Sequence, residues 1–332
     1  MKNAKPGVSL VTRRTFLRSL ASLPLILAAT PACAARRRVR FGIVSDVHQD
    51  VIRDSVDRIN AFVAAMRKAN ADFIIQLGDF CWPHPRNAPF LAAWNAFGAQ
   101  RYHVLGNHDM DGGFTREQTV AYYGIPGRHY AFTSGPVRGL VLDSNDPGGK
   151  GAGYKRFIAP DQMKWLEREL DQTDRPVLVF VHCPFDGSAK GIENSAAIRS
   201  ILERAEKTRP ATVAAVFSGH FHEDCESMVN GIRYIRINSA SYCWLTEAAA
   251  RETFAPELHR AHPYLKYVAA YREPLWALAT LDLDSNELTV EGKRSEWVGP
   301  DPWQRGVTEN EYPHDKCRPA ISDRSFAIKR FS

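Results

Sequence analysis

Along the chain, apolar residues gather into short runs separated by stretches in which they recur every three or four positions. The runs Val39 to Val47, Phe73 to Leu77, Tyr102 to Leu105, Val177 to Val181 and Val213 to Phe217 end at polar or turn residues, as buried strands do. Between the first two, Ile52, Val56, Ile59, Val63 and Met66 are spaced so that all five share one helical face. Met163, Leu166 and Leu170 behind Pro160, and Ile198, Ile201 and Leu202, predict two further helices. Strands alternating with amphipathic helices predict an α/β architecture. After Asn238 the pattern weakens. A loop-rich extension is therefore expected beyond about residue 240, with strand-like runs at Leu275 to Leu283 and Leu288 to Glu291.

With 44% hydrophobic and 24% charged residues in 332, the composition is that of an ordinary globular chain. The net charge of +6 changes the picture little, because Lys2, Lys5, Arg13, Arg14 and Arg18 carry five of those charges before residue 36. The remainder offers no basic surplus for a nucleic-acid partner, and none is expected. Residues 1–35 predict an export signal: Thr12-Arg13-Arg14-Thr15-Phe16-Leu17, an apolar run from Leu20 to Ala29, and a small-residue cleavage site at Ala32-Cys33-Ala34. This segment resembles a twin-arginine leader, which implies the twin-arginine export machinery as a partner and a periplasmic or secreted location. The apolar run is broken by Pro24 and falls short of the roughly 20 residues that span a bilayer, so no stable anchor is expected. Lipid attachment at Cys33 is a lesser reading, since Thr30 and Pro31 fit it poorly. Cleavage leaves Cys81, Cys183, Cys225, Cys243 and Cys317, an odd set that does not read as a disulfide framework or as paired zinc ligands.

The candidate chemistry stands where the apolar runs stop. Asp46-Val47-His48, Gly78-Asp79, Gly106-Asn107-His108-Asp109, His182 and Gly219-His220-Phe221-His222 each follow a strand-like run and carry oxygen or imidazole donors suited to divalent metals. In open α/β sheets, loops at the carboxyl ends of strands converge, so these clusters can form one site. Taken singly, each is an ordinary turn or a hydrogen-bonded histidine; their joint occurrence in one topological position points to metal chemistry.

In order, these motifs resemble those of the calcineurin-like metallophosphoesterases over Asp46 to His222. The resemblance implies a four-layer sandwich of two mixed β-sheets flanked by helices, spanning residues 36–332. It implies two divalent ions, Mn, Fe or Zn, one held by Asp46, His48 and His222 and the other by Asn107, His182 and His220, with Asp79 bridging. His108 would then be the proton donor and Asp109 the neighbour setting its tautomer and orientation. Physically, two cations about 3.5–4 Å apart neutralise charge on a phosphoryl group and lower the pKa of a bound water, so that hydroxide attacks near neutral pH. Trp82 stands where the similar purple acid phosphatases place a tyrosine, so a tyrosinate-bound ferric ion is not expected.

The expected activity is hydrolysis of a small phosphorylated substrate, with phosphodiesters or nucleotide pyrophosphates ahead of monoesters. Trp82, His84, Tyr154, Arg156 and Trp244 are the candidate substrate residues, since aromatic faces stack on nucleobases and Arg can hold a second phosphate. A metal-binding scaffold without turnover is the competing reading; the presence of His108 beside a full ligand set weighs against it. Pro147 to Gly153 is a glycine-rich loop without a Walker ending, read equally as an active-site flap or a plain surface loop.

Overall fold

The computed structural model describes residue 1 and residues 37–329 apart from 152 and 189. The export leader therefore lies outside the described residues. In chain order, the first half contains β1 (Arg38–Val44), α1 (Ser55–Lys68), β2 (Phe73–Gln76), α2 (Ala88–Asn95), β3 (Gln100–His103), α3 (Arg116–Tyr123), β4 (Tyr130–Ser134), β5 (Val137–Val141) and α4 (Pro160–Gln172). There follow β6 (Val177–Phe180), α5 (Ser195–Thr208), β7 (Val213–Ser218), β8 (Cys225–Val229), β9 (Ile232–Arg236), β10 (Tyr242–Trp244), α6 (Pro256–Ala261), β11 (Val268–Ala270), β12 (Ala277–Asp282), β13 (Glu287–Gly292) and β14 (Arg324–Ala327).

Two six-stranded sheets form, in the orders β14-β13-β12-β1-β2-β3 and β4-β5-β6-β7-β9-β8. Both are mixed: β1 pairs parallel to β2 and antiparallel to β12, while β6 lies parallel to β5 and β7, with β4 and β8 antiparallel at the edges. Alternate residues explain the layering. Phe41, Ile43, Phe73 and Ile75 from one sheet meet Leu178, Phe180, Ala215 and Phe217 from the other in a shared core. The opposite faces are covered too: Ile74 packs among Ile59, Phe62, Val63, Phe90 and Trp94 of α1 and α2, and Val177 and Val179 among Leu166, Leu170, Ile198 and Leu202 of α4 and α5. Strands buried on both faces read as continuous apolar runs, which is why these were legible.

The four-layer architecture is thus as expected, but the segment after about residue 240 is more than loops. β12, β13 and β14 complete the first sheet, and β10 pairs with β11 in a separate ribbon. The hairpin β8–β9 also escaped the sequence reading, although Asn230-Gly231, with φ of 49° and 83°, carries the signal of a tight two-residue turn. Among the described residues no helix is long and apolar enough to cross a membrane.

Candidate metal centre

β1, β2, β3, β6 and β7 release their chains at one end of the sandwich, and the loops that follow bring Asp46, His48, Asp79, Asn107, His182, His220 and His222 together. Local backbone geometry is specialised for this. Asp46, His48, Asp79, His220 and His222 all adopt φ between 50° and 75°, a left-handed conformation costing roughly 1–2 kcal/mol for a residue with a Cβ. Strain concentrated on five proposed ligands marks a functional site. The glycines in the motifs answer a second demand, close approach of the loops: a Cβ on Gly106 would stand 2.2 Å from Asp79 Oδ1, and one on Gly219 2.5 Å from Asp46 Oδ2.

The donor atoms form two sets meeting at Asp79. His222 Nε2 lies 3.4 Å from Asp46 Oδ1 and 3.2 Å from His48 Nε2. His182 Nε2 lies 3.0 Å from Asn107 Oδ1 and 3.2 Å from His220 Nδ1. Asp79 Oδ2 faces both sets, 3.7 Å from His48 Nε2 and 3.1 Å from His182 Nε2, while its Oδ1 accepts the His108 backbone N–H at 2.8 Å. Backbone carbonyls orient the rings: His182 Nδ1 donates to Leu77 O and His222 Nδ1 to Tyr242 O, both at 2.8 Å, so each Nε2 is turned toward the cluster.

Hydrogen bonding within the protein does not satisfy this cluster. Asp46 Oδ1 is fully buried without a hydrogen-bond partner, and three acceptor atoms converge on the single Nε2 of His182. Charge balance points the same way. Burial would raise Asp46, but His222 brings its carboxyl down to about 2. Burial also disfavours a charged His182, yet Asp79 overrides it and lifts the ring to about 10. Two buried carboxylates, Asp46 and Asp79, held below their ordinary range are the negative charge that bound cations would balance. His48 and His220 are pushed down to about 3 by burial and are neutral, as ligands must be. The residues present therefore fit the two-ion division expected from the motifs, with carboxylate, amide and imidazole donors. Cys183 Sγ also lies near His182 and His220, but burial pushes its thiol up to about 12, and it packs in the apolar layer under α4 and α5.

His108 stands beside the centre, its ring centroid 5.4 Å from that of His48. Its orientation is set by Asp111, not by Asp109 as expected. Asp111 Oδ2 lies 2.7 Å from His108 Nδ1, and the Tyr154 hydroxyl contacts the same carboxylate at 2.8 and 3.0 Å. Asp109 instead turns inward, fully buried, and accepts the backbone N–H groups of Phe80 at 2.6 Å and Gly106 at 2.8 Å, tying two ligand loops together. Burial and the nearby Asp79 raise its carboxyl to about 7. The physical reason is the turn: the 3-10 turn begun at His108 breaks at Asp111 (ψ 165°) and Gly112 (φ 74°), which leaves the Asp111 carboxylate on the His108 side while Asp109 points inward. Burial works against a protonated His108, but Asp79 and then Asp111 hold its pKa above the ordinary value.

A cleft of about 360 Å³ opens over this centre, bounded by His48, Asp79, His108 and Asp111 and walled by Trp82, Tyr154, Trp244 and Tyr264. Three of the proposed substrate residues thus line it, and Tyr264 joins them from a region where the pattern carried no signal. Two do not. His84 caps a short turn by accepting the Arg86 N–H at 3.1 Å, and the Arg156 guanidinium donates to the Lys190 carbonyl at 2.8 Å. The glycine-rich loop is tethered as well: the Glu193 carboxylate accepts the N–H groups of Lys150 at 2.6 Å and Gly151 at 3.0 Å.

The model of the calcineurin-like phosphoesterase family matches residues 39–224, more than half of the chain. The chain belongs to that family, and it is a metal-dependent hydrolase of phosphoesters. No curated protein sequence matches it significantly. Among solved structures it is similar to a dimetal phosphatase from Danio rerio, at 17% identity over 78% of this chain and 98% of the other, with a TM-score of 0.56. It is also similar to GAP50, the anchor in the inner membrane complex of Plasmodium, at 15% identity over 89% and 90% of the two chains, with a TM-score of 0.51.

Proposed function

We propose that the protein is an exported phosphodiesterase. The observation that carries this reading is the placement of His108, held by Asp111 between the two-ion ligand set and an aromatic cleft. Divalent cations in the centre supply charge neutralisation at the phosphoryl oxygens and acidify a bound water. The chain's own residues do the rest. The left-handed ligand loops hold the donors in place before substrate arrives, so no reorganisation is needed during reaction. Asp111 and Tyr154 engage Nδ1 of His108, leaving Nε2 to deliver a proton to the departing ester oxygen. Trp82, Tyr154 and Trp244 take the leaving group and shield it from water.

The cleft wall favours a diester. A diester carries one negative charge, which the centre itself accommodates; a pyrophosphate brings a second phosphate, and among the described residues lining the cleft there is no Lys or Arg to receive it. The test is a comparison of kcat/KM for bis(4-nitrophenyl) phosphate, 4-nitrophenyl phosphate and a dinucleoside pyrophosphate, using mature protein loaded with Mn, Fe or Zn. The diester is expected to lead by at least about tenfold, a difference of about 1.4 kcal/mol; a lead for the monoester or pyrophosphate would overturn the assignment.

Export is inferred from the leader residues alone. Replacing Arg13 and Arg14 together by Lys is expected to keep the protein in the cytoplasm with its leader uncut, because a general secretory signal needs only basic residues there. Normal processing of that double variant would argue for another route.

A further inference from the structure

We propose that the cleft selects phosphodiesters whose leaving alcohol carries a compact organic cation, of the quaternary ammonium class. The proposal rests on the phosphodiesterase reading and adds the chemistry of the leaving group. Its basis is the wall itself: four aromatic side chains, Trp82, Tyr154, Trp244 and Tyr264, with the carboxylates of Asp50 and Asp111, and no Lys or Arg among the described residues lining it. Two of these rings are unusually open to water. Tyr154 is 45% and Tyr264 50% exposed, and apart from residue 1 only Met228 among the large apolar side chains described is comparably exposed. Exposed aromatics gathered at the mouth of a site mark a recognition surface.

The order of contacts leads from the centre outward. Trp244 lies 6.0 Å from the His48 ring and 6.2 Å from that of His108, and Tyr154 lies 4.7 Å from His108, so an alcohol leaving beside His108 passes between them. On the far side, the Arg86 guanidinium sits 5.1 Å over Trp82 and pairs with Asp50 at 2.8 Å. Asp50 is therefore already compensated, as Asp111 is by His108 at 2.7 Å, so the aromatic faces themselves carry the attraction for a cation. Aromatic faces attract a quaternary ammonium through their quadrupoles, whereas the same surface gives no counter-charge to an anionic group. Hydrolysis balances simply: the water oxygen bonds to phosphorus, the P–O bond to the cationic alcohol breaks, and that alcohol leaves with a proton from His108, with a phosphomonoester as the other product.

The decisive comparison uses the metal-loaded protein and two methyl phosphodiesters of equal shape, one of choline and one of its neutral isostere 3,3-dimethylbutanol, with alcohol release followed by NMR. The choline ester is expected to lead in kcat/KM by roughly tenfold, within the range of a partly desolvated cation–π contact. Trp244→Leu should bring that ratio toward one. Tyr264→Leu, at an exposed position where folding is not at stake, should reduce it as well. Equal kcat/KM for the two esters, or preference for the neutral one, overturns the proposal while leaving the phosphodiesterase reading intact. Should neither ester turn over, titration of choline alone, read by tryptophan fluorescence, separates the two. Saturable choline binding without binding of 3,3-dimethylbutanol sustains the cation site against a failed catalytic reading, and absence of choline binding removes it.

Discussion

His108→Ala is expected to lose roughly 10² to 10⁴ in rate on phosphodiesters with alkoxide leaving groups while keeping its metal ions, the range general acid catalysis supplies. His108 holds the Asp79 carboxylate through its backbone N–H, which the substitution preserves, so the ligand set should survive. With a nitrophenolate leaving group, which departs without a proton, the loss should be far smaller. Asp111→Asn gives the intermediate case. It keeps a hydrogen-bond partner near Nδ1 at 2.7 Å but removes the charge that stabilises a protonated ring, so it should share the leaving-group dependence at reduced size. Equal losses on both kinds of ester in His108→Ala, with metals retained, would mean that the ring positions phosphate, and the acid role would have to be withdrawn.

Asp79→Ala should fail differently. Its carboxylate faces both donor sets, and its Oδ1 also anchors the Asn107–His108 loop. Loss of an outer-shell partner alone costs 10–100-fold in metal affinity, so loss of the bridge should cost at least about 10²-fold. Activity on alkyl and nitrophenyl esters should then collapse together. Metal analysis after dialysis, with circular dichroism as the check on folding, reads this directly. A variant that retained both ions and lost activity only on poor leaving groups would show that Asp79 does not bridge.

Much of the architecture was legible because the central strands are buried on both faces. Phe73 to Leu77 and Val177 to Val181 read as apolar runs since one set of alternate residues meets the opposing sheet and the other meets helices. The hairpin β4–β5, at the edge of its sheet, mixes buried and half-exposed positions, as in Val137-Arg138-Gly139, and its signal fell below that of its neighbours. β12 and β13 were visible as apolar runs, but nothing local assigned them to the first sheet beside β1. That is a pairing between residues far apart in the chain.

The site divides along the same line. The sequence by itself picked out the candidate donor atoms, all but the lone His182 within short motifs whose glycine or neighbouring donor is itself a local requirement: Gly106 and Gly219 leave room for the approach of Asp79 and Asp46. Tertiary structure decided which groups act on which. Asp109, adjacent to His108 in the chain, diverges from it across the 3-10 turn, while Asp111, three residues on, meets it. The carbonyls of Leu77 and Tyr242 orient His182 and His222, and Trp82, Tyr154, Trp244 and Tyr264 assemble one cleft from four separate segments. Residue type and spacing specify what a side chain can donate or accept; its partner is set by the order in which strands pair and loops converge, and no local pattern carries that information.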